Sequence, residues 1–364
     1  MDGRADPLVG LLVGGRYLIQ APLGQGGVAR VYRALQQPMG REVAIKVVRP
    51  DLEGERRREY EARFLREAAL AGRMQHPALV RVYDYGRDED DGSCYIAMEL
   101  LSGPSLMRRL TGPLDPDLTA RVGSELARGL YHAHSRGVIH RDMKPSNVLM
   151  VRDDQGQEHP KLIDFGLVTA QEDEDSVTDA GTFLGTPHYV APEQAQAEGE
   201  LDGRADQYAL GVVLYRMLTG VLPFTAEHPM AIALMHVREP YPPMGERAPL
   251  VEVDEALEAI VRRCLQKTPQ DRWPDCGALA EALEGWREGL EPLLTDEERA
   301  PPPTRSRWVG LGVALGLGLL GGGAALWLGQ QEPAPAPQPH PALIEPELVQ
   351  PELPLAPPAQ AEVA

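Results

Sequence analysis

The sequence predicts an α+β chain of two lobes, a small β-rich N-terminal lobe and a larger helical C-terminal lobe, followed by a single transmembrane helix and a Pro-rich tail expected to be disordered. Three observations carry this. Short Val/Ile-rich runs punctuated by glycine fill roughly the first hundred residues, and helical periodicity takes over beyond residue 104. The segment His140-Arg141-Asp142-Met143-Lys144-Pro145-Ser146-Asn147, with Asp164-Phe165-Gly166 beyond it, gathers carboxylates, an ammonium and an amide of the kind that hold metal ions against phosphates. Trp308 to Gly329 is a run of 22 uncharged residues, long enough at ~1.5 Å per residue to cross a ~30 Å hydrocarbon core.

In chain order, residues 1–15 read as an N-terminal extension. They have no basic start followed by a long apolar core, so no secretory signal is expected, and the apolar run Leu8 to Val13 is too brief to span a membrane. The small lobe spans 16–98. Tyr17, Leu18 and Ile19 open a strand that runs through Leu23 into a glycine turn, Gly24-Gln25-Gly26-Gly27, and a second strand through Val31. A third strand, Glu42 to Val48, holds Ala44 and Lys46. Glu53 to Met74 reads as a helix, with Phe64, Ala68 and Ala71 at helical spacing and Glu67 beside that stripe. Leu79 to Tyr85 and Cys94 to Met98 read as two further strands around an acidic hairpin. Residues 99–103, from Glu99 through Leu101 to Gly103, break the pattern as a hinge between lobes would.

The second lobe spans 104–289. Asp115-Pro116 is an N-cap followed by proline at the first helical position, and Leu118, Val122, Leu126 and Leu130 follow at four-residue spacing. Asp206 to Leu218, closed by Gly220, is apolar enough for a buried axis. Ala256 to Leu265 and Ala278 to Trp286 are two more helices. Residues 290–307 form a linker ending in Arg305 and Arg307, and the membrane span 308–329 follows. Basic residues on that side alone orient residues 1–307 toward the cytoplasm. The tail, 330–364, carries ten prolines and five glutamates, cannot bury a core, and is expected outside the membrane.

Charge and cysteine usage exclude other classes. A net charge of −18 and a pI near 5.0 argue against a nucleic-acid binder, which needs clustered Lys and Arg. Three cysteines, Cys94, Cys264 and Cys276, lack metal-ligand spacing and are expected as buried thiols. Of 36 basic residues only Lys46, Lys144, Lys161 and Lys267 are lysines. Two of those four sit where a compact ammonium would serve a phosphate better than a guanidinium.

Taken together, the ordered set G-Q-G-G-V-A-R-V, V-A-I-K, a helical Glu, H-R-D-M-K-P-S-N, D-F-G and A-P-E resembles the eukaryotic-like protein kinase family, most closely the bacterial transmembrane serine/threonine kinases, over Arg16 to Leu283. The resemblance implies the two-lobed protein kinase fold and an enzyme that uses ATP and Mg2+ to phosphorylate Ser or Thr hydroxyls of protein substrates. Asp142 would orient or accept the substrate proton and Lys144 would neutralise the transferring phosphoryl group. Asn147 and Asp164 would hold magnesium. Backbone amides at Gly24 and Gly26 would approach the phosphates, and Lys46, fixed by Glu67, would hold the α and β phosphates. Leu23, Val31, Ala44 and Leu149 would enclose the adenine, with hinge backbone at Glu99 and Leu101 and Met98 behind. Where the family has a third glycine, this chain has Ala29. His140 would pack against Phe165, Asp206 would brace the loop backbone, and Glu193 would pair with Arg272. Thr186 would contact Asp142 and Lys144. Thr178 and Thr182 are candidate autophosphorylation sites, with Arg141 as the phosphate's partner.

Two other readings stay open from the sequence. One is a catalytically weak, pseudokinase-like scaffold that binds nucleotide or partners, the other a sensor in which the Pro-rich tail is the functional part. The pairs Gly312/Gly316 and Gly318/Gly322 suggest a homodimer through the membrane helix.

Overall fold

Strand alternation builds the first layer. The computed structural model describes residues 6–25, 29–48, 54–164, 187–197 and 201–290, with backbone alone for Gln25, residues 54–59, Arg63 and Glu67. Strands β1 (Leu12–Val13), β2 (Tyr17–Gln25), β3 (Ala29–Gln36), β4 (Arg41–Val48), β5 (Val82–Arg87) and β6 (Cys94–Glu99) form one antiparallel sheet in the order β1-β2-β3-β4-β6-β5. Successive side chains point to opposite faces. Val43, Ile45 and Val47 therefore join Tyr17, Ile19 and Tyr32 in an outer cluster, while Ala44 and Val48 join Phe64 and Ala68 of helix α1 (Gly54–Ala71) in an inner one. Residues before Arg16, expected as an extension, contribute β1 to this sheet, and Gly10 and Leu11 exchange backbone hydrogen bonds with Ile19.

The strand expected over Leu79 to Tyr85 is found instead at Val82–Arg87. Leu79 bridges to Leu162, Val80 N donates to Leu162 O, and Leu162 N donates to Ala78 O. Residues 78–80 thus give their backbone groups to a strand of the other lobe, a pairing that local propensity cannot reveal.

The second lobe comprises α2 (Leu106–Arg109), α3 (Pro116–His134), the hairpin β7 (Val148–Arg152) and β8 (Glu158–Leu162), then α4 (Pro192–Gln196), α5 (Arg204–Thr219), α6 (Pro229–Arg238), α7 (Met244–Arg247), α8 (Glu255–Cys264) and α9 (Cys276–Arg287). The Asp115 carboxylate caps α3 by accepting from Leu118 N at 3.0 Å, an interaction worth about 1 kcal/mol. Of the 16 residues of α5, 14 are buried, so this helix is the axis of the lobe. Its core is shared with Val122, Leu126 and Leu130 of α3 and with Leu279 and Leu283 of α9. Truncating one such leucine to alanine costs about 2–5 kcal/mol. The hairpin β7–β8 and helices α2, α4, α6 and α7 had no counterpart in the sequence pattern.

Asp153 shapes the turn between β7 and β8 by accepting from Gln155 N and Gln157 N at 2.9 and 2.8 Å. His159 then ties the hairpin to α3, with Nδ1 2.9 Å from Glu125 Oε2 and Nε2 3.2 Å from Asp153 Oδ2. The Glu125 carboxylate above all, and Asp153 after it, hold the imidazolium and raise its pKa against the opposing effect of partial burial. A raised folded-state pKa gives stability that is full below the unfolded value near 6.5 and is lost as pH rises through the folded one. We therefore expect His159→Gln to lower Tm more at pH 6 than at pH 9. Equal losses at both values would remove the ion-pair explanation.

Among the described residues no helix is long and apolar enough to cross a membrane, and the span expected at 308–329 lies outside those residues.

Candidate active site

The strand register lines up the upper wall of the cleft. Gly24 is opposite Val31, Val31 opposite Lys46, and Lys46 opposite Ile96, so one row crosses four strands. A cleft of about 330 Å3 is lined by Leu23, Gly24, Val31, Ala44, Val80 and Met98 on the small-lobe side, by Glu99, Leu100 and Leu101 at the hinge, and by Leu149, Ile163 and Asp164 below. Every residue expected around the adenine lines this cleft. The size and apolar lining suit a small planar ligand. Gly103 lets the chain leave the hinge beside β7. A Cβ there would lie 2.0 Å from the Met150 carbonyl oxygen, closer than any side chain tolerates. Glu99 is held from behind, its Oε1 accepting from Lys161 Nζ at 2.7 Å and from Arg81 N at 2.8 Å. The Ala29 methyl, where the family has glycine, is buried in the inner cluster.

Deeper in the cleft Lys46 Nζ donates to Asp164 Oδ1 at 2.9 Å. Asp164 has a φ of +57° and Arg141 a φ of +66°, left-handed conformations that cost of order 1–3 kcal/mol each unless the surroundings impose them. The surroundings do so at Arg141. The Asp206 carboxylate accepts from His140 N and Arg141 N, both at 2.7 Å, and its Oδ2 also lies 2.7 Å from His134 Nε2. Full burial would raise this carboxyl's pKa, but the hydrogen bond and charge of His134 and the His140 amide outweigh it and hold it below the usual carboxylate range. Gln194 Nε2 donates to Arg141 O at 3.0 Å from the other side.

His140 is fully buried, and burial pushes its pKa down, so its ring is neutral. Its Nδ1 is 3.2 Å from Asp142 N and its Nε2 is 3.4 Å from Ile163 O. The backbone donor at Nδ1 assigns the proton to Nε2, which then faces a carbonyl acceptor. His140 thus ties the loop of Asp142 to the strand end before Asp164. Ile163 N donating to Asn147 O at 2.8 Å adds a second tie.

Asp142 is the centre of the polar cluster. Lys144 Nζ donates to its Oδ1 at 2.8 Å and is 2.7 Å from its Oδ2. Asn147 Nδ2 donates both to Asp142 O and to Asp142 Oδ2, each at 2.9 Å. The Asn147 amide nitrogen is therefore committed, which leaves the amide oxygen for another partner, and Asp164 keeps Oδ2 beside the oxygen that meets Lys46. One amide oxygen and one carboxylate are hard donors that fit Mg2+, an ion that takes its remaining ligands from water and substrate phosphates. Among the described residues no three His, Cys, Asp or Glu side chains form a metal cluster.

Below the cleft, Glu193 Oε1 and Oε2 accept from Arg272 Nη1 and Nη2 at 2.6 and 2.8 Å, the pairing expected from the sequence. Glu67 lies on α1, but its side chain is outside the described set, as are Gly26, Phe165, Thr178, Thr182 and Thr186. Gln194, Lys161 and His134 were not singled out in the sequence. Each acts through a partner more than fifty residues away, and local pattern carries no such signal.

A family model described as protein kinase domain matches residues 17–283. The chain is 38% identical over 301 residues to the serine/threonine-protein kinase pkn3 of Myxococcus xanthus, covering 81% of this chain and 54% of the relative. It is 41% identical over 295 residues to the DNA damage-responsive serine/threonine-protein kinase RqkA of Deinococcus radiodurans, covering 80% and 42%. It is 37% identical over 306 residues to the serine/threonine-protein kinase PknB of Mycolicibacterium smegmatis, covering 80% and 47%. The chain thus spans about half the length of the curated relatives it matches. Among solved structures, the PknI kinase domain of Mycobacterium tuberculosis, as the C20A_R136A double mutant, aligns with a TM-score of 0.59 at 25% identity, over 82% of this chain and 100% of that one. Rad53 1–466 in complex with AMP-PNP aligns with a TM-score of 0.58 at 27% identity, over 74% and 64%.

Proposed function

The chain belongs to the protein kinase domain family, in its bacterial eukaryotic-like branch, and from that premise we propose that it is a serine/threonine kinase that transfers the γ-phosphate of ATP to hydroxyls of protein substrates. The observation that carries this reading is the arrangement around Asp142. Its carboxylate meets Lys144 and Asn147 on the same loop, while Asp164, which lines the neighbouring cleft, accepts from Lys46.

The Asp142 carboxylate receives or orients the proton of the Ser or Thr hydroxyl as that oxygen bonds to the γ-phosphorus and the bond to the β,γ-bridging oxygen breaks. Lys144 keeps Asp142 in place and offsets charge on the phosphoryl group in transit. Lys46 holds the α and β phosphates. Leu23, Val31, Ala44 and Leu149 sandwich the adenine, and the backbone of Glu99 and Leu101 supplies its hydrogen bonds. Asn147 and Asp164 would hold Mg2+, which would draw charge from the phosphates. The scaffold alternative finds no support in the described site, where the catalytic groups are present and mutually hydrogen-bonded.

The finer reading adds a membrane anchor at 308–329 with the kinase domain cytoplasmic, autophosphorylation at Thr178 or Thr182, a role in signal transduction, and dimerisation through Gly312, Gly316, Gly318 and Gly322. It rests on the uncharged run, the flanking Arg305 and Arg307, and the glycine spacing. Phosphoamino-acid analysis of a generic protein substrate tests the reaction, with phosphoserine and phosphothreonine expected and loss of label in EDTA. Phosphotyrosine alone, or label indifferent to EDTA, would reject it. Retention of the full chain in membranes after carbonate washing tests the anchor, and release into the wash would reject it.

A further inference from the structure

The segment before Arg16 does more than extend the sheet. Its first described residue, Asp6, receives Tyr32 Oη at 3.1 and 3.2 Å on its two oxygens, and its Oδ2 is 3.2 Å from Arg30 Nη1. The carboxylate is itself oriented by Leu8 N, which donates to Oδ1 at 3.1 Å, and Leu8 packs on the outer apolar cluster. Further along, Gly14 N donates to Asp88 Oδ2 at 2.6 Å. Gly14 has a φ of +58°, and a Cβ there would lie 2.6 Å from the Tyr95 ring, so the segment lies close against the sheet. Residues 6–14 form a strap over the outer face, fixed at both ends by carboxylate hydrogen bonds.

The place where the strap grips bears on the cleft. Arg30 and Tyr32 flank Val31 on β3, and Val31 faces the cleft between Gly24 and Lys46 in the strand register. Side chains alternate along a strand, so Asp6 holds from outside the stretch of β3 whose inner face lines the cleft. That stretch also follows closely on Gly24-Gln25-Gly26-Gly27, the glycine turn that the family resemblance assigns to the phosphates. Tyr32 is fully buried. Its hydroxyl would lose the Asp6 carboxylate as acceptor if the strap left.

We propose that Asp6 is a positioning residue for nucleotide binding, acting through Arg30 and Tyr32 on the β3 wall of the cleft. This rests on the reading of that cleft as the ATP site. The strap makes residues 6–14 part of the nucleotide-binding unit, and anything that lifts it lowers ATP affinity without touching Asp142 or Lys144.

The test is calorimetric titration of the full chain with ATP in Mg2+, comparing wild type with Asp6→Ala, Asp6→Glu and Tyr32→Phe, each with a measured Tm and steady-state kinetics. Loss of charged hydrogen bonds of this kind predicts a Kd and KM for ATP raised about fivefold or more in Asp6→Ala, and kcat within about twofold. Tyr32→Phe, which removes one oxygen, moves Kd in the same direction by less, and Asp6→Glu restores most of the affinity. A lower Tm with ATP Kd within about twofold of wild type in both Asp6→Ala and Tyr32→Phe would make the strap a structural staple and overturn the proposal. Wild type that fails to bind ATP at all would overturn the nucleotide reading itself.

Discussion

Replacing Asp142 by asparagine lowers kcat by a factor on the order of 10^3, within the usual range for a general base, and leaves the Kd for ATP within about twofold. The reasoning is local. Asp142 offers two acceptor oxygens, and two donors, Lys144 Nζ and Asn147 Nδ2, already point at them. An amide of the same shape keeps one acceptor and presents an NH2 group to the other donor. The variant therefore loses the proton acceptor and also loosens Lys144 and Asn147. The lining of the nucleotide cleft does not include Asp142, which is why ATP affinity stays. Initial rates and nucleotide titration on the same preparation check both halves. A kcat within tenfold of wild type would take the base role away from Asp142.

Arg272→Ala destabilises the folded chain by about 3–5 kcal/mol, the cost of removing one partner from a buried ion pair. All five guanidinium hydrogens are used. Nε donates to Gln266 O, Nη1 to Glu193 Oε1 and Arg204 O, and Nη2 to Glu193 Oε2 and Lys267 O, at distances from 2.6 to 3.1 Å. The side chain has no exposed surface, against 15% for that of Glu193, and the guanidinium lies 4.9 Å from the Tyr208 ring centroid. Alanine would take from a carboxylate and three carbonyls the donors that the guanidinium supplies. Lysine would not rescue, because an ammonium cannot reproduce a planar five-donor fork. Activity should fall as well, since Gln194, adjacent to Glu193, donates to Arg141 O beside the catalytic carboxylate. Urea denaturation measures the stability loss, and a change below about 1 kcal/mol would show that the pair is dispensable.

The parts legible in the sequence are those with a local cause. Asp115-Pro116 marks a helix start because the cap and the proline act within one turn, and α3 begins there. Gly220 marks the end of α5 because a φ of +76° suits glycine. The alternation in V-A-I-K places Ala44 and Lys46 on one face of β4, and both line cavities between the lobes. Elements without a local signature escaped. Helices α4 and α7 are five and four residues long, too short for a stripe to repeat. The early part of the Leu79 to Tyr85 run pairs with Leu162, more than eighty residues away.

The site divides in the same way. The loop 140–147 was readable because its groups are neighbours in the chain. Asp206 and the Glu193–Arg272 pair were reached through family resemblance, since sequence separation of 66 and 79 residues leaves no pattern to read. Lys161 behind Glu99, His134 behind Asp206, and Asp6 beneath β3 were reached by neither route. Each is an ordinary polar residue whose role depends on what the fold brings beside it.

Phosphoryl transfer is the reaction proposed for the Asp142 and Lys46 machinery. Its most direct measurement is incubation of the full chain with γ-labelled ATP, Mg2+ and a protein substrate, beside Lys46→Met and Asp142→Asn versions whose folding is verified by Tm. Label incorporated by wild type, and reduced to background in both variants, is the predicted result. Equal incorporation by all three proteins would contradict the account.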